Sequence, residues 1–200
     1  MAEAITLADI QMANWFHSHA TPTLTRFMLT ITNLHSTVAI AFYSVLMALW
    51  LIRKKDWHWL LTLLAIVPGG MLLNVLMKQA FQRARPVFDH PLLTLSSYSF
   101  PSGHTAASTV FYGALAAYLV CHLKPWRWGM AFVTAMSAAM MVALVGLSRM
   151  YLGVHYLSDV LAAAIEGVAW LAFCLTIAAS WRKHRTGSAH CDNAEGADHE

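Results

Sequence analysis

The chain has 200 residues, enough for one domain, and 58% of them are hydrophobic while only 12% carry charge. So little charge cannot cover a water-soluble domain of this size, and the positive mean hydropathy points instead to a bundle of membrane helices. A formal net charge of +3 is too small and too scattered for a nucleic-acid partner, and three irregularly spaced cysteines, Cys121, Cys174 and Cys191, argue against a disulfide framework or zinc knuckle.

Residues 4–19 come first. Ile5, Ala8, Met12, Trp15 and Phe16 recur at helical spacing, with Asp9, Gln11 and Asn14 between them. This pattern predicts a short amphipathic helix, ended near Pro22, that lies on the membrane interface or packs under the bundle. No basic segment followed by an apolar one precedes it, so insertion is expected to be directed by the spans themselves.

A helix crossing the hydrocarbon core needs about 20 largely apolar residues. Five stretches qualify, at about 27–52, 57–77, 105–123, 128–147 and 156–180. Trp50, Trp57, Trp59, Trp126, Trp128 and Trp181 fall near their ends, as in an interfacial aromatic belt. The expected architecture is therefore an all-α polytopic membrane bundle of five spans plus an N-terminal amphipathic helix. In domain terms, residues 1–22 form the interfacial helix, 23–185 the membrane domain and 186–200 a polar, disordered tail. His190, Cys191 and His199 in that tail match no metal-ligand spacing.

Basic residues orient the bundle. Arg53, Lys54, Lys55, Lys124, Arg127, Arg182, Lys183 and Arg185 fall on one side of alternating spans, against Arg26, Lys78, Arg83, Arg85 and Arg149 on the other. The larger set belongs in the cytoplasm. The expectation is an integral protein of a bacterial inner membrane, with a cytoplasmic C-terminus. The connections at 78–104 and 148–155 are then extracytoplasmic, and they hold almost every chemically suggestive residue.

Three clusters carry that chemistry. Lys78, Arg83 and Arg85 precede Pro86, which turns the chain; alone, they read more readily as snorkelling anchors. Pro101-Ser102-Gly103-His104 directly precedes the third span. Ser102 suits an N-cap, Gly103 leaves room for close approach, and the free N–H groups of a helix start suit a phosphate. In Ser148-Arg149 through His155 to Asp159, a carboxylate four residues after the imidazole can take its Nδ1–H and leave Nε2 free to attack. Such a pair can also be a simple helix cap. Together the clusters supply what phosphoryl transfer requires: cations for the equatorial oxygens, an in-line nucleophile, and an acid for the leaving oxygen.

The three blocks, Lys-x6-Arg-Pro, Pro-Ser-Gly-His and Ser-Arg-x5-His-x3-Asp, occur in order over residues 78–159. This signature resembles that of the type-2 phosphatidic acid phosphatase superfamily. The resemblance implies a nucleophile at His155 that forms a phosphohistidine, with Asp159 orienting it and His104 as general acid. It implies phosphate binding by Lys78, Arg85, Ser102, Gly103 and Arg149, with no metal ion and no other cofactor. The expected partner is a membrane lipid phosphate or diphosphate, such as phosphatidate, phosphatidylglycerophosphate or undecaprenyl diphosphate. Gly103 does not choose among these, although some family members acting on the last have Asp there. Two alternatives stand beside lipid hydrolysis: transfer of the phosphoryl group to another lipid, and an anion-binding transporter.

Other residues are less specific. Glu166, inside the last span, is either functional or a buried hydrogen-bonded acid. Asn33 and His35 are expected to make interhelical hydrogen bonds. Met136, Met140 and Met141 read as packing, and Gly69 and Gly70 after Pro68 as a kink or close helix contact.

Overall fold

The computed structural model describes the backbone of residues 2–122 and 128–195 and side chains within residues 5–122 and 128–183. Among the described residues it is all helical. The helices are α1 (Ala2–Ser18), α2 (Pro22–Leu34), α3 (Thr37–Lys54), α4 (Trp57–Phe81), α5 (Gly103–His122), α6 (Trp128–Tyr151) and α7 (Leu157–Glu195). Five are long and apolar enough to cross a membrane: α3, α4, α5, α6 and residues 157–183 of α7. The tail expected at 186–200 has no described side chains, and 196–200 lie wholly outside the described residues.

The first span is shorter than the apolar run suggested. Residues 27–34 belong to α2, a separate helix, and the span begins at Thr37. His35 leaves helical geometry (φ −115°, ψ 23°), and the Ser36 hydroxyl then accepts from the Ala39 N–H, starting α3 afresh. Among the described residues His35 makes no hydrogen bond to another helix; its Nδ1 lies 2.8 Å from the Ile31 carbonyl of its own, and its ring only packs near that of Tyr112. Asn33 is exposed. The interhelical bond comes from Thr32 instead, whose hydroxyl accepts from Arg149 of α6 at 2.5 Å.

The core lies where α3, α4, α5 and α7 meet, around Ile40, Leu63, Ile66, Val67, Val110 and Cys174. Gly69 and Gly70 make the close contact anticipated for them. A Cβ on Gly69 would stand 2.6 Å from the Trp170 ring, and one on Gly70 2.8 Å from Val110 Cγ1. The Trp170 indole N–H points at the Ala65 and Ile66 carbonyls, at 3.2 and 3.1 Å, just before Pro68. Trp59 is not part of an aromatic belt: it is buried, edge-on to Tyr118. Met136, Met140 and Met141 face outward from α6 rather than packing inside. In a bilayer such a stripe meets lipid of its own polarity, so an apolar residue is no sign of the core.

α1 lies against α6 and α7. Ile5, Leu7, Ile10, Met12 and Trp15 face outward, while Asp9, Ala13 and Phe16 turn toward the bundle, with Phe16 edge-on to Tyr151. The helix is thus packed on the bundle and apolar on its outer face. Its inward face carries an acid that amphipathic spacing had assigned to the polar side.

Candidate active site

The C-terminal ends of α4 and α6 and the N-terminal ends of α5 and α7 meet at one end of the bundle. They bring all three sequence blocks together. The Ser102 N–H donates to the Asp159 carbonyl at 3.1 Å, joining the second block to the third. After α6 the chain turns through Gly153 in the left-handed region (φ +69°), with Phe88 packed where a side chain would stand. That turn delivers His155, which precedes α7. Asp159 sits in the first turn of α7, where its Oδ2 accepts the Tyr156 N–H at 3.0 Å, as a helix-capping acid does.

His155 and Asp159 are both buried. Nδ1 of His155 lies 3.5 Å from Asp159 Oδ2, long for a hydrogen bond. The Ser99 hydroxyl sits between them, donating to Asp159 Oδ2 and lying 3.4 Å from Nδ1. Arg85 Nη1 donates to the Val154 carbonyl at 2.6 Å and reaches Nε2 of His155 at 3.2 Å. Burial, with the charges of Arg85 and Arg149, lowers the His155 pKa to about 4 despite the opposing pull of Asp159. The imidazole is therefore neutral, and among the described residues the electron pair on Nε2 is engaged by nothing but the Arg85 N–H.

The cations surround this point. Lys78 Nζ donates to the Tyr98 carbonyl at 3.0 Å. Arg85 donates through Nε to the Ser97 carbonyl (2.7 Å) and through Nη2 to the Ser97 hydroxyl and the Tyr98 carbonyl. Arg149 is 1% exposed, and apart from the Thr32 bond its Nε and Nη2 have no partner among the described residues. Two buried guanidinium nitrogens left so cost free energy unless an anion takes their N–H groups. His104, half-buried at the start of α5, has Arg149, His155, Arg85 and Lys78 as its electrostatic neighbours. Ser102 is fully buried, its hydroxyl accepting from that of Thr105 at 3.0 Å. A Cβ on Gly103 would touch Lys78 Cε at 3.7 Å and Asn74 Oδ1 at 3.4 Å, ordinary contacts. Packing within the chain therefore does not demand glycine there; its absent side chain widens the space between Lys78 and the helix start.

Three further contacts are not legible in the sequence, although it marks Arg83 and Glu166. Ser99 lies in an irregular connection with no signal to mark it. Arg83 read as an anchor, yet donates to Asp159 Oδ1 at 2.6 Å. Asn74 donates to Glu166 Oε2 at 3.2 Å, leaving Glu166 Oε1 buried and unpartnered among the described residues.

A buried neutral histidine, its carboxylate and several cations at one end of a membrane bundle have the chemistry to receive an anionic phosphoryl group. Comparison with known proteins gives the same class. The model of the PAP2 superfamily matches residues 59–183. Phosphatidylglycerophosphatase B of Bacillus subtilis is 36% identical over 167 residues, 80% of this chain and 81% of that protein. The crystal structure of a transmembrane PAP2-type phosphatidylglycerolphosphate phosphatase from Bacillus subtilis superposes with a TM-score of 0.78 at 32% identity, covering 87% of this chain and 86% of that one. LpxE of Aquifex aeolicus shares the fold, with a TM-score of 0.66 at 21% identity over 84% of this chain and 94% of that one. The chain belongs to the PAP2 superfamily and is an integral membrane phosphatase. The transporter alternative has no support in this company.

Proposed function

We propose that the protein hydrolyses a lipid phosphomonoester or diphosphate through a phosphohistidine on His155. Nε2 attacks phosphorus in line, the P–O bond to the lipid breaks, and the departing oxygen takes a proton from His104. Asp159 steadies the positive charge that the imidazole then carries. Water next attacks the phosphohistidine, giving its proton to His104. The P–N bond breaks, and inorganic phosphate leaves with His155 restored. Lys78, Arg85 and Arg149, with the Ser102 hydroxyl and the Gly103 N–H, hold the phosphoryl oxygens. The Ser97 and Tyr98 carbonyls that now engage Lys78 and Arg85 are neutral acceptors, which a phosphate dianion outcompetes.

One observation carries this reading most directly: the orphaned Nε and Nη2 of buried Arg149, whose charge is felt by both histidines. An apolar groove of about 420 Å³ supports a lipid substrate. It starts at Thr105 and Val160, each adjacent in sequence to a catalytic candidate, and runs between α5, α6 and α7 to Leu171. An acyl or prenyl chain fits there while the headgroup reaches the cations. Phosphatidate, phosphatidylglycerophosphate and undecaprenyl diphosphate are the substrates to compare. The basic-residue asymmetry favours a site on the extracytoplasmic side.

The test is phosphate release by purified protein from those three lipids. His155→Ala should abolish release from all of them. Arg149→Lys, which keeps the charge but loses the fork, should cost roughly 100-fold in kcat/KM. Release by His155→Ala at the wild-type rate would end the proposal. Recovery of the label in a second lipid instead of inorganic phosphate would identify a transferase.

A further inference from the structure

Asp159 is held by a residue at one of the unspecified positions of the first motif block, and that residue is held by the N-terminal helix. Arg83 Nη1 donates to Asp159 Oδ1 at 2.6 Å and to the Ser158 hydroxyl at 2.7 Å, while Nη2 donates to Asp9 Oδ2 at 2.8 Å. Asp9 is 2% exposed. Its Oδ1 accepts the Ser158 N–H at 3.0 Å and its Oδ2 accepts the Ser158 hydroxyl. Asp9 therefore caps the first turn of α7 from another helix, since the residue before that turn is Tyr156, which has no capping oxygen in reach of it. The Arg83 guanidinium lies over the Tyr156 ring, 4.3 Å from its centroid.

One guanidinium thus divides its charge between two buried carboxylates, one facing the imidazole and one on α1. Apolar contact such as Phe16 against Tyr151 would dock α1 without any acid, and a buried carboxylate is costly unless paired. We propose that Asp9 and Arg83 are positioning residues of the phosphatase site: α1, through the shared guanidinium, sets how much negative charge Asp159 presents to His155. This goes beyond the reaction proposed above but rests on its assignment of His155.

The sign of the effect can be worked out. Facing His155 and Asp159 are Arg83 and Arg85 from the connection after α4, Lys78 from α4, and Ser99 from the loop before α5. His104 faces them from α5, Arg149 from α6, Tyr156 from the turn before α7, and Asp9 from α1. Asp9→Asn keeps an acceptor for the Ser158 N–H but deletes one negative charge, so Arg83 is left partly uncompensated and the potential at His155 becomes more positive. Arg83→Gln deletes the positive charge and leaves both acids uncompensated. The two variants must therefore move His155 protonation in opposite directions.

The experiment measures kcat and KM for phosphatidate hydrolysis against pH, on variants that purify as folded protein. Asp9→Asn should shift the acid limb of kcat/KM to lower pH and Arg83→Gln to higher pH. Each should lower kcat roughly 10-fold, the loss typical when a group orienting a functional side chain is removed, with KM little changed. A helix that merely braces the fold would reduce thermal stability and leave both limbs at the wild-type pH. An unmoved limb in folded Asp9→Asn, or shifts of the same sign, overturns the inference. If Arg83→Gln does not fold, Arg83→Lys replaces it, and a limb displaced as far as that of Asp9→Asn overturns it equally, because the charge is retained. Should His155→Ala also release phosphate, the catalytic assignment fails and takes this inference with it. Should only Asp9→Asn titrate as wild type, this inference alone falls.

Discussion

His155 shows how the surroundings of a side chain decide its chemistry. An ordinary histidine is half protonated near pH 6.5, and a protonated one cannot attack phosphorus. Burial removes the water that would solvate the imidazolium, and Arg85 and Arg149 oppose its charge, so the pKa falls to about 4. The acid limb of kcat/KM, which reports the free enzyme, should therefore bend near pH 4 and leave activity intact through pH 6. A limb near 6.5 in the wild-type protein would show that His155 is not the group being titrated. The motif spacing named His155, Asp159, His104 and the three cations proposed to bind phosphate. It could not reveal Ser99 or Asp9, because what makes each matter is a neighbour 60 or more positions away in sequence.

Elements follow the local pattern until a polar residue finds a partner. The apolar run at 27–52 reads as one span, yet a serine able to cap a helix breaks it at Ser36. The short α2 that results is what places Thr32 against Arg149. Glycines at 69 and 70 show the opposite case, where sequence and packing agree. Gly69→Ala would put a methyl 2.6 Å from the Trp170 ring, forcing α4 and α7 apart. It should destabilise the bundle by about 1–3 kcal/mol, read as an earlier midpoint in detergent denaturation. A variant as stable as wild type would mean that α7 shifts without cost. The outward methionines of α6 were misread for a reason particular to membranes: lipid and core are equally apolar, so hydrophobicity marks a span but not which of its faces is inside.

For the molecule as a whole, the two ends of the bundle carry the means to test its orientation. Val87, 92% exposed in the connection beside the site, lies at the end opposite exposed Cys121 of α5. In intact bacterial cells, with Cys191 changed to serine, Val87→Cys should react with an impermeant thiol reagent. Cys121 should react only once the membrane is opened. The reverse pattern would place the site in the cytoplasm.

The five spans and the three motif blocks were written in local runs of residues. Apolar length is a property of a single helix, and each block holds its functional groups within a few residues. Which faces turn inward, where the first span starts, and which groups hold Asp159 were decided only by tertiary packing. A buried charge must find its partner wherever the fold brings one, and for Asp159 that partner leads through Arg83 to Asp9 at the far end of the chain.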